Sequence, residues 1–76
     1  MAASSADLIA FIARAIVNEP DAVQVRELED GTLLELETAP EDRGRVIGRQ
    51  GRVAKAMRAL LGASRHGADC RLEIVD

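Results

Sequence analysis

The sequence predicts an α+β domain with the element order helix, strand, strand, helix, helix, strand. Three observations carry this prediction. Apolar residues recur at helical spacing before Val17 and again after Arg52. Two stretches alternate apolar and polar residues on either side of Asp30-Gly31, and a third does so at the C-terminal end. The 76 residues suit one small domain, 1–76, and leave no room for a second.

In the first segment Leu8, Ile9, Phe11, Ile12, Ala15 and Ile16 fall on one helical face, with Asp7, Ala10 and Arg14 opposite. Ser4 followed by Asp7 supplies a capping start, and Asn18 with Pro20 a stop. "AVQVREL" and "TLLELETA" alternate around Val23, Val25, Leu34 and Leu36, and the Asp30-Gly31 turn signal between them predicts a β-hairpin. "PEDRGRVIG" opens on Pro40 and two acids, the favoured chemistry of a helical first turn, and predicts a short helix ended by Gly48. From Arg52 a further helix places Val53, Met57, Leu60 and Leu61 on one face and Arg52, Lys55 and Arg58 on the other, with Gly62 as its stop. "GASRHGAD" is a loop, and "CRLEIV" alternates as a strand with Cys70, Leu72 and Ile74 on its inner side.

Composition narrows the function. Apolar residues make up 47 %, enough for a core without metal or disulfide, and the single cysteine, Cys70, reads as a buried apolar residue. No window approaches the roughly 20 apolar residues of a membrane span, and the N-terminal segment lacks the basic start of a secretion signal, so a cytoplasmic protein with no membrane contact is expected. The only aromatic residue is Phe11, which removes the aromatic platforms on which RNA-recognition motifs and OB-folds stack bases. Glu35 and Glu37 read as solubilising charges, Met57 as core filling, and the single histidine, His66, as a loop residue. No cofactor, metal or catalytic constellation is expected.

The charge is unevenly placed. The chain carries a net −3, yet seven of its ten basic residues lie between Arg43 and Arg65 with no acid among them. They surround Gly48-Arg49-Gln50-Gly51, where two helical patterns meet. Both glycines can take positive φ and neither carries a Cβ, so a partner's backbone can come close. The following helix directs its N–H groups and positive dipole end at the same place. With Arg45, Arg49, Arg52 and Lys55 around it, the turn fits a sugar-phosphate backbone better than a small anion.

On these residues a resemblance rests. "RVIGRQGRVAKAMRAL", with Val46-Ile47 before the glycine loop, resembles the hydrophobic-Ile-Gly-x-x-Gly segment of K-homology (KH) domains, and the element order resembles the type II, bacterial form. The "APEDRGRVIGRQGR" run and the chain length resemble the KhpA family of small single-domain KH proteins. The resemblance implies a three-stranded mixed sheet backed by three helices, and a groove between the glycine-loop helices and the last strand with its preceding variable loop. It implies that Gly48, Arg49, Gln50 and Gly51 clamp the backbone of about four nucleotides of single-stranded RNA. It further implies an apolar floor of Val46, Ile47 and Val53 or Ala54, and a far wall of Leu72 bordered by Arg71 and Glu73, with Arg65 and His66 of the variable loop near RNA. Family partners would be a second copy of the chain or a larger KH-containing RNA-binding protein of the KhpB (Jag, EloR) type, in post-transcriptional control or RNA chaperoning that touches cell shape.

Two other functions compete. A protein-pairing adaptor would use exposed apolar helix surface and leave the RNA groove weak or unused, but an adaptor has no need of glycine at either loop position. A nucleotide-binding enzyme fails on spacing, because Gly44, Gly48 and Gly51 do not make the phosphate-loop pattern and no acidic metal site follows.

Overall fold

The computed structural model describes residues 4–63 and 70–75. These form three helices, α1 (Ser5–Ile16), α2 (Arg43–Ile47) and α3 (Arg52–Ala63), and three strands, β1 (Gln24–Leu28), β2 (Leu33–Glu37) and β3 (Arg71–Ile74), in the predicted order. The sheet is mixed, with order β1-β2-β3: β1 and β2 pair antiparallel, and β3 runs parallel to β2 with Leu72 beside Leu34. A parallel neighbour needs a crossover, and α2 with α3 supplies it.

Ser4 begins α1 with a reciprocal capping box: its hydroxyl accepts from the Asp7 N–H, and the Asp7 carboxylate accepts from the Ser4 N–H. The face that α1 buries differs from the expected one. Ile9, Ala10 and Ala13 are buried, whereas Phe11 is 74 % exposed and Ala15 lies outside. Apolar residues run nearly round this helix, so periodicity alone did not single out a face. Two alanines point inward because small side chains let the helix approach the sheet closely.

The hairpin forms where predicted, but its loop is longer than a two-residue turn. Leu28 pairs with Leu33, and Glu29, Asp30 and Gly31 all take positive φ, of 52°, 57° and 86°. The Thr32 hydroxyl and N–H both donate to the Glu29 carbonyl and close the loop. On the outer sheet face Arg26 pairs with Glu35 and Glu37, so these acids do more than solubilise.

The core comprises Ile9, Ala13, Val23, Leu34, Leu36, Val46, Met57, Leu61 and Leu72, with Val25, Val53, Cys70 and Ile74 packed at its margin. Cys70 is therefore half-buried, and its thiol donates to the Gly31 carbonyl at 3.1 Å. In α3, Ala54 takes the inward place expected of Leu60, which is 49 % exposed, and the helix continues through Gly62 to Ala63. The run to α2 starts as a 3-10 turn, Pro40–Asp42. Asp42, one of the two acids read as first-turn chemistry, is fully buried.

Candidate nucleic-acid interface

The predicted loop is a real corner. Helix α2 ends when Gly48 takes φ 78°, ψ 168°, a conformation that residues with a Cβ essentially do not adopt. The Gly48 N–H donates to the Gly44 carbonyl at 2.8 Å and closes α2. The next three residues, Arg49–Gly51, make a 3-10 turn in which Gln50 is left-handed at φ 57° and Gly51 at φ 74°.

The two glycines serve different ends. A Cβ on Gly48 would lie 2.5 Å from Val53 Cγ2 and 2.8 Å from the Val53 nitrogen, so its hydrogen permits the close approach of α2 to α3. A Cβ on Gly51 would meet only Lys55 Cε, at 3.9 Å, so that position is open. Gly48 builds the corner from inside, and Gly51 keeps its outer surface bare.

The backbone is less available to an anion than the sequence implied. The Gly51 N–H donates to the Gly48 carbonyl at 3.0 Å, and the Arg52 N–H is satisfied by the Arg49 carbonyl. Attraction at the loop therefore rests chiefly on side-chain charge. Arg45, Arg49, Arg52 and Lys55 are all exposed around it, as is Gln50 at its tip. Exposure keeps these cations hydrated and able to exchange water and counterions for phosphate.

The apolar floor is narrower than expected. Val46 is fully buried and Ala54 nearly so, and neither has surface to offer a base. Both belong to the core because α2 and α3 pack inward on those sides. Ile47, 37 % exposed, and half-buried Val53 keep accessible surface beside the loop. Leu72 is likewise a core residue, so its side chain does not line a far wall.

What β3 does present is backbone. The Leu72 carbonyl accepts from Arg58 Nε at 3.2 Å and Nη2 at 3.1 Å, which ties β3 to α3. Arg58, Cys70, Arg71, Leu72 and Glu73 line a shallow depression of about 390 Å³. Sequence reading placed Arg58 on the basic face of its helix and missed this contact. The signal was its spacing from Arg52 and Lys55; its acceptor, a main-chain oxygen on another element, has none. Arg71 stands on β3, not with the loop cluster, and pairs with Glu29 at 2.9 Å. Arg65 and His66 lie outside the described residues. Among the described residues no three His, Cys, Asp or Glu side chains converge as metal ligands, and no helix is long and apolar enough to cross a membrane.

Comparison with known proteins adds to this geometry. A family described as the KhpA/KhpB KH domain matches residues 6–74. A protein of Treponema pallidum named RNA-binding protein KhpA is 49 % identical over 74 residues, 92 % of each chain. A protein of the same name from Halalkalibacterium halodurans is 44 % identical, covering 91 % of this chain and 96 % of its own. Another from Streptomyces coelicolor is 42 % identical, with 92 % and 90 % covered. No solved structure matches the chain.

Proposed function

This chain belongs to the KhpA/KhpB family of KH domains, and from that membership we propose that it is a single-domain, non-catalytic protein that binds single-stranded RNA across the Gly48–Gly51 loop. The observation that carries the reading is the bare glycine corner with four exposed cations, Arg45, Arg49, Arg52 and Lys55, around it. Phosphates lie against the loop, Ile47 and Val53 offer apolar surface to the bases, and the β3 side, with Arg71 and Arg58, borders them. Arg65 belongs to the same set by its charge and its place in the sequence between α3 and β3. The protein acts in the bacterial cytoplasm as a post-transcriptional regulator or RNA chaperone, with effects reaching cell shape. Crosslinking in cells followed by sequencing of bound RNA tests the proposal, with a glycine-loop variant as control; equal recovery of RNA by both proteins would refute it.

Affinity for one short RNA is expected to be modest and salt-sensitive. A clamp on about four nucleotides makes ~3 phosphate contacts, and at about −0.7 per contact the slope of log K against log salt is roughly −2. Fluorescence anisotropy across a salt series measures it, with duplex RNA as competitor. A flat dependence or a preference for duplex contradicts the mechanism.

One small groove discriminates poorly among transcripts, so the working species is at least dimeric, with a second copy or a larger KH-containing RNA-binding protein of the KhpB type. A second tethered groove raises avidity by roughly 10² to 10⁴ without new contacts. Exposed Phe11 on α1 and Leu60 on α3 favour such pairing and also the adaptor reading, which is compatible with RNA binding. Sedimentation equilibrium at micromolar concentration should show self-association or capture of the partner. A strict monomer that still selects RNA tightly argues against it.

A further inference from the structure

Asp42 is the one buried charged side chain among the described residues. Burying a carboxylate costs several kcal/mol unless it is paired and hydrogen-bonded. Here Oδ1 accepts the Asn18 N–H at 3.1 Å and Oδ2 the Glu19 N–H at 3.0 Å, which fastens the beginning of the α1–β1 connection to the start of α2. These two bonds account for the fold but leave a negative charge to be balanced. Arg45 balances it: its Nε lies 3.5 Å from Oδ1, one helical turn along α2. Nε is the innermost guanidinium nitrogen, and the Arg45 side chain is 54 % exposed, so the pair with Asp42 leaves much of the side chain open to solvent.

We propose that Asp42 is a positioning residue for RNA binding: a fixed, buried anion that holds Arg45 by its inner nitrogen and leaves its outer nitrogens free for a phosphate beside the Gly48–Gly51 loop. The inference rests on RNA binding at that loop. The anchor is rigid because two backbone N–H groups hold its oxygens, and Asp42 immediately precedes α2 with Arg45 three residues on, so the distance between them is set by the local helical backbone. Restricting a long side chain before the ligand arrives removes ordering entropy that binding would otherwise have to offset. Lysine could not substitute, because a single Nζ cannot both remain beside Asp42 and reach outward to a phosphate.

A double-mutant cycle on the full chain tests this, with a short mixed-sequence single-stranded oligoribonucleotide as probe and thermal melting to monitor the fold. Asp42→Asn is expected to weaken binding by about three- to tenfold when Arg45 is present and by less than about twofold in an Arg45→Gln background. Arg45→Lys leaves the Asp42 backbone bonds intact, so it covers the case in which Asp42→Asn does not fold. It should weaken binding by about threefold or more although net charge and melting temperature are unchanged. The same loss from Asp42→Asn in both backgrounds would make the residue purely structural and overturn the proposal. So would tighter binding by Asp42→Asn, or full affinity of Arg45→Lys. Replacing Arg49 and Gln50 by Asp in parallel separates the outcomes: retained affinity there refutes the loop as the RNA site, whatever the cycle shows.

Discussion

Replacing Arg49 and Gln50 together by Asp should lower RNA affinity by at least about a hundredfold while moving the melting temperature by only a few degrees. The change removes one cation and adds two anions at the tip of the loop, where phosphates are expected to lie closest, and each phosphate contact carries a large share of the salt-dependent binding energy. Both side chains are exposed, so the core is untouched. Position 50 is left-handed at φ 57°, and Asp tolerates that conformation better than most residues, so backbone strain is not increased. Circular dichroism and RNA titration on one sample decide the matter. A folded double variant that binds as tightly as the parent places the RNA elsewhere.

The two loop glycines should respond very differently to alanine. Gly48→Ala is expected to destabilise the protein by about 3 kcal/mol, from a backbone region closed to residues with a Cβ and a clash with the Val53 backbone and side chain. In a domain this small that lowers the melting temperature by roughly 10 to 25 °C. Gly51→Ala meets open space, and only its positive φ of 74° opposes it, so about 1 kcal/mol is expected. Thermal melting of the two variants side by side is the measurement. Equal losses would mean that the packing of α2 on α3 does not depend on the missing Cβ at Gly48.

The contrast between these glycines shows where sequence stops. Gly-x-x-G between two helical patterns announced a turn with two positive φ angles, and both occur. The pattern treated the positions as equivalent, whereas the distance to Val53 separates them, and that distance depends on how α2 meets α3. The left-handed Gln50 between them was likewise invisible, since glutamine carries no turn signal.

Element order, the hairpin, the Ser4 cap and the cluster of basic residues were determined by the sequence itself. Each rests on the period, punctuation or charge of neighbouring residues, and such local interactions act whatever the rest of the chain does. Tertiary structure alone decided the rest. It buried Val46, Ala54 and Leu72 and so confined the accessible apolar surface beside the loop to Ile47 and Val53; it turned Phe11 and Leu60 outward. It joined Asp42 to main-chain groups 24 and 23 residues away, and Arg58 to a carbonyl 14 residues away. The reason is common to these cases. Their partners are main-chain atoms or packed surfaces brought near by the sheet and its crossover, and a backbone N–H or carbonyl looks the same at every position of a sequence until the fold places it.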